Sequence, residues 1–194
     1  LSQANIVHLS SFVDNKQFNI QIDLPKELSS KALISLAPGM LYTIKGIDAL
    51  SPILQKTQIL FINQKEIERM TGKDFVSGAQ QCLNLGCQVV VVTLGKGLAL
   101  ESGKVSSSYI FEKNGECKIE SQTRPLGAEL EATGAGDAFA TGFLFSFSRG
   151  KGLKECGQMG DAVARSVMTK IGAREGLPRL SELPHVFDFF NPAS

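Results

Sequence analysis

Apolar residues in the first half of the chain fall into short continuous runs, separated by stretches of helical spacing. Ile6 to Leu9 reads as a short strand. Phe18, Ile22 and Leu28 share one helical stripe, and Pro25 argues against a straight helix through them. Ala32 to Ala37 is an apolar strand that Pro38-Gly39 stops, and Ile47 to Leu54 reads as helix. Gln58 to Ile62 is a strand buried on both faces. Gln64 to Thr71 and Phe75 to Leu85 are helices ended by Gly72 and Gly86. Gln88 to Leu94 (QVVVVTL) is the strongest strand signal in the chain. Continuous apolar strands alternating with helices predict a parallel sheet covered on both faces, an α/β fold.

Beyond Leu94 the pattern changes. Segments near Leu98, Ser107 to Phe111 and Cys117 to Ser121 predict an antiparallel meander turning at Gly103 and Gly115. Two helices close the fold. One runs from Gly134 to Ser148 and is apolar almost all round (Phe139, Phe143, Leu144, Phe147), which predicts burial in the middle of the domain. Gly142 inside it implies close backbone packing. The other runs from Leu153 to Ile171 and is stopped by Gly172.

Composition narrows the function classes. At 194 residues the chain suits one domain, 1–194, with a sizeable core. Lys+Arg number 20 and Asp+Glu 19, which gives no basic excess for nucleic acid. No apolar run reaches the roughly 20 residues of a membrane-spanning helix. Leu1 to Leu9 lacks the pattern of a secretory leader, so a cytoplasmic location is expected. Cys82, Cys87, Cys117 and Cys156 form no C-x-x-C pair and read as free thiols, and zinc is not expected.

The chemistry concentrates in Glu131-Ala-Thr-Gly-Ala-Gly-Asp137-Ala-Phe139. Thr133 is a candidate N-cap. Gly134 and Gly136 leave the first-turn N–H groups uncovered, and a helix N-terminus with exposed donors is an anion site, phosphate foremost. Asp137 leaves the same end. Donors for phosphoryl oxygens beside a carboxylate that can take a hydroxyl proton fit phosphoryl transfer. The plainer reading is a capped helix with an acid in its first turn. A dinucleotide turn is rejected, because Phe139 stands where the third Gly belongs and a helix follows. No G-x-x-x-x-G-K-[ST] run is present.

Thr133 to Phe139 resembles the D-T-x-G-A-G-D signature of the ribokinase-like (PfkB) kinases. The resemblance implies a three-layer α/β/α fold with a mostly parallel sheet. It implies Asp137 as catalytic base and the Gly134, Ala135 and Gly136 backbone as anion hole. Asn63-Gln-Lys-Glu66 is similar to the family's N-x-x-E motif, which implies Asn63 at the nucleotide and Glu66 at Mg²⁺ through water; alone it is also a plain helix cap. Val92-Thr93-Leu94-Gly95 resembles the strand end that puts Thr93 and Gly95 against the nucleotide. Gly172-Ala173, with Pro178 beyond, resembles the segment near the adenine, and Asp161 falls where many members carry an Asn facing the nucleotide.

The implied reaction is ATP-dependent phosphorylation of a sugar hydroxyl. A nucleoside acceptor is the runner-up, and a non-catalytic nucleotide-binding member the rival of another class. ATP and Mg²⁺ are the implied ligands, a monovalent cation is a further candidate with no residues assigned, and a homodimer is the candidate assembly.

The sequence also departs from the family pattern. Glu131 and Ala132 stand at the usual Asp-Thr positions, and Lys96 alone separates Gly95 from Gly97, a loop one residue short. Nothing matches the family's N-terminal region with its first strand, substrate-binding Asp and β-sheet lid, so an incomplete N-terminus is expected. His8, Phe187 to Phe190, and the surface arginines Arg165, Arg174 and Arg179 read as structural or solvated.

Overall fold

The computed structural model describes residues 4–29, 31–99, 105–121, 133–172 and 174–185; the side chains of 96–99, 105 and 121 fall outside that description. Glu131, Ala132, Gly103, Ala173 and Phe187 to Phe190, all named above, lie outside the described residues.

Six strands form one sheet in chain order: β1 (Ile6–Ser10), β2 (Leu33–Ala37), β3 (Ile59–Asn63), β4 (Val89–Ala99), β5 (Val105–Glu112) and β6 (Gly115–Ser121). β1 to β4 pair in parallel. The intervening helices are α1 (Asn15–Asp23), α2 (Gly39–Thr43), α3 (Gly46–Leu54), α4 (Gln64–Thr71) and α5 (Phe75–Leu85); α6 (Ala135–Phe147) and α7 (Leu153–Met168) follow the strands. The residues group into two compact units, Leu1–Thr93 with Phe111–Glu116, and Leu94–Ile110 with Cys117–Ser194. Among the described residues no helix is long and apolar enough to cross a membrane.

In the first unit, register places Val7 beside Ile34, Leu36 beside Leu60, and Leu60 beside Val90. These side chains share one face and are all buried. The other face is buried at β3 and β4 through Ile59, Phe61, Val89 and Val91, and it opens at β1 around His8. The apolar runs that predicted two-sided burial therefore hold for the inner strands. His8 is structural, as expected: its Nδ1 lies 2.8 Å from Ser35 Oγ and its ring meets Phe61 edge-on.

α1 starts earlier than its apolar stripe, because Asp14 accepts a bond from Lys16 N–H as N-cap. Its buried face is Phe18 and Gln21, and a 3₁₀ turn at Leu24–Lys26 absorbs Pro25. Pro38-Gly39, expected only to stop β2, instead starts α2.

The two residues Lys113 and Asn114 connect β5 to β6, a span that only an antiparallel hairpin permits. The turn falls on those residues, and Gly115 already belongs to β6. α6 and α7 pack with their backbones close together. A Cβ on Gly142 would stand 2.7 Å from Met159 O, and one on Gly160 would stand 2.9 Å from Phe139 O. Gly157 has the same role toward the hairpin, where a Cβ would come within 2.6 Å of Ile119. α7 ends at Met168, short of Ile171, because Thr169 Oγ1 donates to Ser166 O and the chain folds back, Ser166 Oγ donating to Gly176 O.

Candidate functional site

In the first unit Asn63 stands at the carboxyl end of β3, where open α/β sheets bind ligands, and Thr93 lies within β4. Asn63 and Thr93 are register partners, which puts both on the same sheet face. Asn63 caps α4. Its Oδ1 accepts from Glu66 N–H at 2.9 Å, and Glu66 Oε2 accepts from Asn63 N–H at 3.0 Å. The plain helix-cap reading of Asn-x-x-Glu is therefore realised in full.

The cap holds only one oxygen of Glu66. Among the described residues Oε1 has no hydrogen-bond partner, so it is available to a metal-bound water. Burial pushes the Glu66 carboxyl above the usual range, against the hydrogen bonds with Asn63 that pull it down.

In the second unit the candidate anion site is the start of α6. The cap position is Gly134 at φ 80, with no side-chain capping bond. Thr133 is thus not the N-cap: the left-handed backbone that only Gly adopts easily makes the turn, and the Thr133 side chain stays exposed. The first helical bond runs from Ala138 N–H to Gly134 O at 2.9 Å. The N–H groups of Ala135, Gly136 and Asp137 are left without an intrahelical acceptor.

Gly136 has neither a positive φ nor a packing neighbour, because a Cβ there would meet nothing within 4 Å. Its lack of a side chain serves to keep the backbone accessible. The Asp137 side chain is exposed, and its carbonyl accepts from Thr141 Oγ1 at 2.8 Å. Gly95, exposed at φ 62, also needs the conformational freedom of glycine.

Asp161 differs from a residue simply facing a ligand. It is 6% exposed, and its Oδ2 accepts from Arg165 Nε at 2.8 Å. Arg165, expected on solvated surface, is half-buried in this pair, whereas Arg174 and Arg179 are exposed as expected. The pairing was readable in the i,i+4 spacing, which brings such side chains together on a helix.

Residues 39–180 match the family described as pfkB family carbohydrate kinase. The chain belongs to the pfkB family. It is 34% identical over 179 residues to an uncharacterised sugar kinase of Archaeoglobus fulgidus, covering 90% of this chain and 65% of that protein. It is 35% identical over 133 residues to the cytidine kinase of Thermococcus kodakarensis, covering 66% of this chain and 43% of that one. The structure of Arabidopsis thaliana ribokinase complexed with ribose and ATP superposes with a TM-score of 0.74 at 26% identity, covering 96% of this chain and 56% of the ribokinase. The chain therefore has the ribokinase-like α/β fold with a mostly parallel sheet, and it spans about two thirds or less of the length of these pfkB-family relatives.

Proposed function

We propose that this chain is the ATP-handling part of a pfkB-family kinase that transfers a phosphoryl group to a sugar hydroxyl. The observation that carries the reading is the start of α6: uncovered N–H groups beside Gly136, which has open space where a side chain would be, with the exposed carboxylate of Asp137 next to it. The N–H groups of Ala135 and Gly136, in the anion hole that Gly134 opens, hold the equatorial oxygens as charge shifts in transfer. Asp137 takes the proton of the acceptor hydroxyl. Its weak basicity suffices where the proton moves late and positioning dominates.

Thr93, Gly95, Asn63 and Asp161 contact the nucleotide in this reading. Glu66 holds Mg²⁺ through water, and the open oxygen and fixed rotamer of its capping box fit that role. Mg²⁺, when bound, neutralises phosphate charge. A nucleoside acceptor is the second reading, favoured by the 35% identity to a cytidine kinase.

Asp137→Asn in the intact protein is the test. Turnover with ATP and sugars or nucleosides should fall about 10²–10⁴-fold. Calorimetric binding of a non-hydrolysable ATP analogue with Mg²⁺ should be unchanged. Full turnover in the variant, or no nucleotide binding by the wild type, overturns the reading.

A further inference from the structure

The carboxyl end of α5 is a tight reversal built around Gly86. Its φ of 135 is open to glycine and strained for other residues. A Cβ there would also stand 2.9 Å from the Cα of Gln55, so the reversal is pressed against the end of α3. Two backbone bonds close it: Gly86 N–H donates to Leu83 O at 3.1 Å, and Cys87 N–H donates to Cys82 O at 3.2 Å. This pair of bonds is the Schellman arrangement, in which the residues joined by the outer bond commonly bring their side chains into contact. In this chain both of those residues are cysteines.

The two thiols are enclosed together. Cys82 is 0% exposed and Cys87 is 5% exposed. Burial pushes the Cys82 thiol up to about 12, and burial together with the neighbouring Cys82 raises Cys87 further. Neither sulfur is committed elsewhere. Cys82 Sγ has no hydrogen-bond partner among the described residues. Cys87 Sγ donates weakly to Leu54 O at 3.5 Å, and Leu54 O also accepts from Thr57 N–H at 3.1 Å. Loss of the Cys87 S–H therefore orphans no carbonyl.

We propose that Cys82 and Cys87 are a redox pair that closes into a disulfide, stapling the end of α5 to the turn that leads into β4. The backbone bond between them keeps their Cα atoms within about 7 Å of each other, close to the roughly 4–7 Å that a disulfide spans. The oxidant is a low-molecular-weight disulfide, which reaches the pair when the end of α5 opens locally. The Cys82 thiolate, the more easily formed of the two, attacks one sulfur of the oxidant and expels the other as a thiolate. Cys87 then gives up its proton and attacks Cys82 Sγ, which expels the second thiolate. The protein loses two protons and two electrons, and the oxidant leaves as two thiols.

The test is peptide mapping of the wild-type chain after incubation with oxidised glutathione at pH 8, with a dithiothreitol-treated sample as reference. Free thiols are blocked with N-ethylmaleimide in denaturant before digestion with trypsin. Lys73 and Lys96 flank a stretch with no other Lys or Arg, so one peptide, 74–96, carries both cysteines. After oxidation this peptide should carry no maleimide and be lighter by two hydrogens than its reduced sequence, whereas the reference should carry a maleimide on each cysteine. The Tm of the oxidised protein should rise by about 2–8 °C and fall back with reductant. Cys87→Val, which keeps an apolar contact, should melt near the reduced wild type and lose the redox-dependent shift; Cys82→Val serves where that variant does not fold. Maleimide on both cysteines of the oxidised sample overturns the proposal and leaves the pair as two small apolar residues. A glutathione adduct that stays on one cysteine, or a bridge to Cys117 or Cys156, overturns it as well. So does a disulfide that forms only in urea and lowers the Tm on refolding, or a redox-dependent shift that persists in Cys87→Val.

Discussion

Two glycines six residues apart on α6 separate packing from function. Gly142 stands where a Cβ would approach Met159 O to 2.7 Å, Val163 Cγ2 to 3.0 Å and the Cα of Gly160 to 3.1 Å. Two of the three atoms are backbone and cannot swing aside. Gly142→Ala therefore forces α6 and α7 apart, at an overpacking cost of about 1–3 kcal/mol. The better helix propensity of Ala returns up to about 1 kcal/mol. The net loss is roughly 1–2 kcal/mol, which for a chain of this size lowers Tm by about 2–8 °C.

Gly136→Ala adds the same methyl where nothing lies within 4 Å. Its backbone is not left-handed, so the substitution brings no strain and gains up to about 1 kcal/mol. Tm should be unchanged or slightly raised. Turnover should fall 10- to 1,000-fold or so, the scale of losing one anion-hole donor, because the methyl occupies the space through which an anion reaches the backbone. Thermal melts and steady-state turnover on both variants read the two effects separately. Full turnover in Gly136→Ala would refute the anion-site argument, and an unchanged melt in Gly142→Ala would refute the packing argument.

Glu66→Gln keeps a side-chain oxygen to accept from Asn63 N–H, so the capping box survives. The carboxyl it replaces has a folded pKa raised by burial. Such a group contributes stability below its unfolded pKa and loses it as pH climbs through the folded value. The stability of Glu66→Gln relative to wild type should therefore improve from pH 4 to pH 7 in urea unfolding, and a decline over that range would contradict the burial argument. Cysteine labelling at pH 8 should be ordered. The half-buried Cys117 should react first, while burial pushes the Cys82 thiol up to about 12 and Cys156, with Glu155 beside it, up to about 11. Cys87, raised further by burial and by neighbouring Cys82, should be the last to label. Early alkylation of Cys87 by mass spectrometry would show that α5 opens in the native protein.

Much of the fold was legible because local signals agreed with one another. α4 begins at Asn63, and α4 and α5 end at Gly72 and Gly86, where these residues say they should, since caps act over a few residues and need no tertiary context. Gly142 was read correctly as a close-packing residue, although its contact with Met159 required the partner helix to be seen. α2 was missed because Pro-Gly signals both a strand stop and a helix start. Thr133 was assigned the cap by residue type, when the turn itself depends on the φ of Gly134. The partial burial of Arg165 was missed because a charge on a helix is solvated in most settings. Only the packing of α7 on the hairpin, set by Gly157 and Ile119, shows which side is closed.

The candidate residues of β3 and β4 show why cap and ligand readings need not compete. Sequence alone offered Asn63-x-x-Glu66 as either a helix cap or a magnesium motif, because both uses call for the same side chains. The structure assigns the cap four groups and a fixed geometry: Asn63 Oδ1 with the Glu66 N–H, and the Asn63 N–H with Glu66 Oε2. That fixation settles the rotamer of Glu66 and leaves Oε1 in a defined place at the carboxyl end of a parallel strand. A carboxylate free to rotate would lose entropy on taking up a metal-bound water, whereas one already held by its own helix loses little. The register that sets Thr93 beside Asn63 follows the same logic on the neighbouring strand. In the proposed reading, the capping box gives Glu66 the preorganisation that a water-mediated magnesium contact would use.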